Sequence, residues 1–436
     1  MVKLFQIWGS TIRSEVISLL LLIPYLLPAQ PPSRLTLEHA WEMARTNYPL
    51  IKQRDLLIKT RDYSISNAAK GYLPALSVNG QATYQSAVTN FPFKIPIPGF
   101  TLPTYSKDQY KVYGELDQTI YDGGAIKNQK QSAVVNETIQ EQNLDVDLYA
   151  LFDRVNQLYF GTLLADEQLK QNDLLKKDIQ NGLDKVQAQV ANGTAYRSGA
   201  DELSAQLLQT DQSRVELLSL RKAYVSMLGL FVGKSLDDST VLENPMTPSL
   251  ADSVARPELK WYEAQKINYD LQDKALQIQL RPKFSAFIQG GYARPGLNFL
   301  DNNFQWYYIG GIRLSWNLGA LYTMKNQRMI NDLGRQTLDI QKETFLFNTR
   351  ITQRQQSADM VKYTELIKKD DAIIALRESV KNAAGAQLEN GVLSAHDFIT
   401  QVDAEDQARQ SLILHRIELL QAQFNYKNTT GNVRMQ

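Results

Sequence analysis

Cysteine is missing from all 436 residues, which rules out a disulfide framework, a thiolate metal site and a thiol nucleophile. Histidine is nearly missing. His39, His396 and His415 are the only three, and none has metal-ligand spacing. A surplus of one charge is missing as well. Lys+Arg number 47 and Asp+Glu 46, a formal +1, without the basic excess of a nucleic-acid binder. No Walker-type Gly-rich loop is present, so any energy input must come from elsewhere. These gaps leave no catalytic constellation, and the reading is of a non-enzyme with no cofactor. After the N-terminus no apolar run could span a bilayer as a helix, so entry into a membrane would have to be made by strands.

The N-terminus itself reads as a secretory signal over residues 1–30. Lys3 and Arg13 supply positive charge, and 16–27 is an apolar run broken only by Ser18 and Pro24. Ala29-Gln30 offers a small-residue exit for cleavage. The alternative is a membrane anchor, but a spanning helix wants ~20 apolar residues.

Four segments alternate with a period of two: 76–85, 110–121, 284–292 and 308–318. On the even positions stand Leu76, Val78, Val112, Leu116, Ile288, Ile312 and Leu314. The odd positions carry Lys111, Glu115, Asp117 and Arg313. Such alternation sets one face in an apolar medium and the other in water. Each run is about ten residues, the length a tilted strand needs to cross a bilayer. Aromatics such as Tyr84, Tyr110, Tyr121, Tyr292, Trp306 and Trp316 gather near the ends, as in an interfacial girdle. A soluble antiparallel sheet with one packed face would give the same alternation. The runs pair as two hairpins, with a long Pro-rich loop at 86–109 and a shorter one at 293–305.

Between these segments lie helices too long for a globule. From 124 to 192 there is no proline, and Leu144, Leu148, Leu151, Val155 and Leu158 keep a four-three spacing, as do Ile179, Leu183, Val186 and Val190. That is a coiled-coil seam about 100 Å long. A second span runs from 320 to 390, and each span is followed by a break and a returning helix.

The arrangement recurs. Lys127-Asn128-Gln129 returns as Lys325-Asn326-Gln327, and Asn192-Gly193 as Asn390-Gly391, both at an offset of 198. The predicted organisation is therefore a signal (1–30), a first repeat (31–231, with a helical hairpin at 123–231), a linker or equatorial segment (232–257), and a second repeat (258–436, with a hairpin at 320–427).

The chain resembles the TolC-like family of outer-membrane efflux proteins over nearly its whole mature length. The resemblance is carried by Gly71-Tyr72-Leu73-Pro74-Ala75-Leu76, Tyr121-Asp122-Gly123-Gly124, the segments 192–203 and 390–398, and Tyr426-Lys427-Asn428-Thr429-Thr430-Gly431-Asn432. It implies a mixed α and β fold: a homotrimer in outer-membrane lipid, with four strands per protomer in a twelve-stranded β-barrel and a periplasmic α-helical barrel of coiled-coil hairpins. The implied function is the exit duct of a tripartite efflux or secretion system, joined to a periplasmic adaptor protein and, through it, to an inner-membrane pump of RND or ABC type. The resemblance also implies adaptor contacts at Gly193, Thr194 and Ala195 and at Gly391, Val392, Leu393 and Ser394. The alternative for each glycine is a plain helix C-cap with no partner role. The family's acidic gate falls on Asp397, six residues past Gly391, with Thr400 where a second acid is expected. A helix-dipole role for Asp397 is the alternative. Asp201 is the first-half candidate, but it lies eight residues past Gly193, so that turn is expected to be two residues longer. Lys111, Glu115, Asp117 and Arg313 are expected to line the barrel lumen. Two other readings stay open, a porin-like pore without an adaptor and a secreted coiled-coil scaffold. The exported substrate is not legible.

Overall fold

The computed structural model describes residues 34–88, 92, 98, 106–298 and 300–432. The expected signal segment and most of the loop at 86–109 lie outside the described residues. The first half runs β1 (Arg34–Leu35), α1 (Leu37–Asn47), α2 (Gln53–Ala69), β2 (Ala75–Tyr84), β3 (Asp108–Tyr121), α3 (Ala125–Tyr149), α4 (Leu151–Ala191) and α5 (Arg197–Val232). The second runs β4 (Val241–Leu242), α6 (Pro257–Gln279), β5 (Lys283–Arg294), β6 (Gln305–Ser315), α7 (Leu321–Glu389) and α8 (Ala395–Thr430).

The four long strands make one antiparallel sheet in the order β2-β3-β5-β6. Its register places even residues opposite even ones, for example Val78–Gly114–Gly290–Tyr308 across the sheet. The pairing shifts near Thr119/Tyr121, a bulge at the helix-proximal end of β3. β6 sits three residues N-terminal of the expected 308–318. It stops because Asn317 Oδ1 accepts from Gly319 N–H (3.1 Å) and turns the chain into α7, while the Trp316 indole donates to Leu280 O (2.9 Å). The matching exit from β3 is made by Asp122, whose carboxylate accepts from the N–H groups of Gly124 (2.8 Å) and Ile126 (2.6 Å).

The helices obey the four-three spacing. α4 pairs with α5 and α7 with α8 as antiparallel hairpins, and α4 also packs along α8. α7 is one unbroken helix of 69 residues, about 100 Å at 1.5 Å per residue. The first long span is instead interrupted at Ala150. The break falls where Tyr149 and Phe152 turn into the main core, packed edge to face at 4.9 Å, with Tyr149 Oη donating to Asn428 O (2.7 Å).

That core sits midway between sheet and tips. Trp41, Phe152, Tyr159, Phe160 and Phe424 form its centre, and the Trp41 indole donates to Asn156 Oδ1 (2.9 Å). The 232–257 segment is anchored here rather than free. β4 pairs in parallel with β1, and the buried Tyr159 hydroxyl lies between the carbonyls of Leu35 (2.7 Å) and Glu243 (2.8 Å). A second core closes the far ends of the hairpins, where Ile179, Leu183, Val186, Leu203, Leu388, Phe398 and Val402 are buried together.

Candidate functional site

Two regions carry the chemistry, the sheet and the hairpin tips. The two faces of the sheet differ sharply. On the even face Val78 and Ile312 are 76% and 73% exposed, whereas Gln289 and Tyr307 on the odd face are each 8% exposed. Among the described residues no helix layer covers the odd face, so its side chains cover one another, as they do on the concave side of a curved sheet. The concave side holds all four expected lumen residues. Arg313 reaches Glu115 (2.8 Å) and Asp117 (3.0 Å), and Lys111 lies over the rings of Tyr113 (4.4 Å) and Tyr307 (5.3 Å). The convex face carries no charge between Phe284 and Tyr292 or along their partners on neighbouring strands. Its loop end bears an aromatic group, with Tyr292 5.3 Å from Phe304 and 5.1 Å from Trp306. Arg294 pairs with Asp108 (2.6 Å) at that rim. Among the described residues no helix is long and apolar enough to cross a membrane.

At the tips the two turns share one geometry. Gly193 (φ +74°) and Gly391 (φ +69°) follow α4 and α7 in the left-handed region. Thr194 N–H donates to Gln189 O (2.8 Å) and Gly193 N–H to Val190 O (3.0 Å); Val392 N–H donates to Gln387 O (2.9 Å) and Gly391 N–H to Leu388 O (3.0 Å). Each is the paired bond pattern that closes a helix with a left-handed residue. The returning helices both start four residues after the glycine, at Arg197 and Ala395. The first turn is therefore not two residues longer, which corrects the expectation. The position matching Asp397 is Gly199, packed so closely on α8 that a Cβ there would lie 3.2 Å from Ala395 Cβ. Asp201 lies further along α5, exposed, and 4.0 Å from Arg197.

Ser394 is the N-cap of α8. Its hydroxyl accepts from Asp397 N–H (3.1 Å) and donates to Asp397 Oδ2 (2.7 Å). Leu393 packs on the tip core, while Val392 and Thr194 are exposed and Ala195 is half-buried. Tyr196, 88% exposed beside Ala195, was not singled out from the sequence, although a bare aromatic next to a glycine turn was the available signal.

The hairpins are tied together near the tips. Gln189 Nε2 donates to the carbonyls of Leu388 (2.7 Å) and Glu389 (3.1 Å), and Lys185 meets Glu389 at 2.7 Å. His396 Nδ1 lies 2.8 Å from Glu202, and the hydrogen bond to that carboxylate, then its charge, raises the imidazole pKa. Higher up, buried Glu405 meets both Lys381 (3.4 Å) and Arg409. Burial pushes the neighbouring Asp403 and Asp406 upward, against hydrogen bonds from Gln206 and Gln171. The ties between the two hairpins were not legible in the sequence, because Gln189–Leu388, Lys185–Glu389 and Glu202–His396 join residues about 200 positions apart, whereas Glu405–Arg409 is an i,i+4 pair within α8.

Comparison with known proteins bears directly on this geometry. Residues 40–228 match the family model of the outer membrane efflux proteins. Over that segment, less than half of its length, the chain is similar to the outer membrane efflux proteins. A search of the curated proteins finds no match. Among solved structures the chain is similar to CusC, described for its transmembrane channel formation (TM-score 0.65, 14% identity, 90% of this chain and 91% of that one). It is also similar to the outer membrane protein VceC of Vibrio cholerae (TM-score 0.63, 13% identity, 91% and 96%) and to the open state of the MtrE channel of Neisseria gonorrhoeae (TM-score 0.60, 13% identity, 91% and 89%). At such identities these likenesses establish a shared fold. The solved structures that share this fold are described as outer-membrane proteins or channels.

Proposed function

We propose that this chain is the outer-membrane exit duct of a tripartite efflux system. Three copies each contribute four strands to a twelve-stranded barrel and two helical hairpins to a tunnel across the periplasm. A periplasmic adaptor meets the tips at Gly193, Thr194 and Ala195 and at Gly391, Val392, Leu393 and Ser394, and an inner-membrane pump drives transport behind it. Asp397 forms an acidic ring near the periplasmic entrance, and the internal duplication gives each protomer two alike hairpins. The observation that carries this reading is the sheet itself, which is charged on its concave face and apolar on its convex face, with both edges unpaired. In lipid, unpaired backbone groups cost several kcal/mol each, so such a sheet must close with other copies. The test is to purify the protein in detergent, measure its mass, and record conductance in planar bilayers. A trimer with discrete channel openings supports the duct. A detergent-independent monomer that never conducts overturns it.

A further inference from the structure

The concave face of the sheet carries four charged side chains in its middle, and their formal charges cancel, with Lys111 and Arg313 against Glu115 and Asp117. The cancellation is uneven in space. Arg313 stands on β6, two strands away from β3. Its guanidinium passes over the Phe287 ring of β5 at 4.6 Å and ends on both acids of β3. Nη2 donates to Glu115 Oε1 (2.8 Å) and Nη1 to Asp117 Oδ2 (3.0 Å). Ser285 Oγ donates to that same Asp117 oxygen (3.2 Å), and Gln289 Nε2 to Glu115 Oε2 (3.4 Å). Lys111 is occupied elsewhere, over Tyr113 and Tyr307, four residues or ~13 Å along the strand from Glu115. One planar, permanently charged fork therefore holds two carboxylates against the wall, a task that a single ammonium would do less well.

We infer that Arg313 sets the charge selectivity of the barrel. By binding Glu115 and Asp117 it hides a ring of acids that would otherwise draw cations into the barrel, and it leaves the barrel segment of the duct open to anionic and neutral solutes as well as cationic ones, separately from any selection at Asp397. The inference rests on the reading of the concave face as the lumen wall.

The test uses the full-length protein in planar bilayers under a KCl gradient. Arg313→Gln changes the four-residue sum from zero to −1 per protomer. We expect the potassium-to-chloride permeability ratio to rise roughly threefold or more, since uncompensated charges of one sign lining a cleft generate potentials of several kT. Arg313→Gln combined with Glu115→Gln restores the balance and returns the ratio toward that of the parent. An unchanged ratio in Arg313→Gln, or a double variant as cation-selective as the single one, overturns the inference. If Arg313→Gln does not assemble, Glu115→Gln with Asp117→Asn tests the same clamp from the other side. It leaves two uncompensated cations, and the ratio must shift toward chloride or the inference fails. Failure of the lumen reading itself is seen separately. Gln289→Cys should react with a charged thiol reagent and reduce the current, and Ile288→Cys should not. The reverse pattern removes the lumen reading and the inference with it.

Discussion

Replacing Gly391 separates two roles that a tip glycine can have. Its φ of +69° lies where an L-residue pays a steric cost of roughly 1–2 kcal/mol against its own carbonyl. Nothing lies within 4 Å of the place a Cβ would take, so the chain around it adds no clash. Restricting the unfolded chain returns about 0.4–1 kcal/mol. Gly391→Ala should therefore destabilise by about 1 kcal/mol, and Gly391→Asn by less, because asparagine tolerates the left-handed region. In a chain of this length that is a fall in melting temperature of roughly 2 °C or less, scaling from smaller domains. Binding to the proposed periplasmic adaptor should respond differently. A surface that packs flush against the bare turn is disturbed by any side chain, and a tenfold loss of affinity corresponds to only about 1.4 kcal/mol. The expected result is that both variants melt near the parent and both bind the adaptor about tenfold more weakly. If Gly391→Asn binds as the parent does, the glycine serves the turn alone. A melting temperature lowered by more than about 5 °C would refute the argument from open space.

Asp397→Asn should reduce cation preference and weaken block by multivalent cations in reconstituted trimers, and Asp201→Asn should do less, because the turn geometry matches Asp397 to Gly199 instead. If Asp397→Asn alters only thermal stability, the residue acts through its bond to Ser394 and not as a gate. The His396–Glu202 pair has a raised folded-state pKa, so its contribution is fully present below about pH 6.5 and is lost as pH rises through that raised value. Glu202→Gln should lower the His396 titration midpoint seen by NMR, and an unmoved midpoint would show that the pair does not form in solution. Cysteines replacing Glu115 and Leu116 in turn should differ in reactivity toward membrane-impermeant thiol reagents, with only the first labelled through the pore.

Much of the fold was legible because two periods of different length do not mix. Leu144, Leu148 and Val155, read as a seam, are buried, and the alternating runs are strands. What escaped is non-periodic. The strand boundaries depended on Asn317 and Trp316 bonding to other parts of the chain, and the interruption at Ala150 depended on Tyr149 reaching Asn428, 279 residues away. At the tips the position of Gly193 and Gly391 was readable, but the length of the first turn was not. Counting from the glycine to the next acid led to Asp201, whereas the helix start is marked by backbone geometry at Tyr196 and Ser394. The ion pairs of the concave face needed the strand order, which places β3 beside β5 and lets Arg313 on β6 cross over to Glu115.

The edges of the sheet make the case for assembly more strongly than its faces do. Soluble proteins guard an edge strand with lysine, proline, an inward charge or a covering element. β2 spans Ala75–Tyr84 with no charged residue and no proline, and β6 spans Gln305–Ser315 with Arg313 alone. That arginine does not guard its edge, because its side chain turns inward across β5 to β3. The two unprotected ladders are nearly equal in length, ten and eleven residues, so one can pair fully with the other. Within a single chain they lie at opposite ends of the order β2-β3-β5-β6 and cannot meet in a sheet of only four strands. They can meet between copies. A one-residue slip at that joint would turn Leu76 and Val78 into the charged face and break the apolar band, so the same alternation that forms each protomer's sheet also fixes the register between protomers.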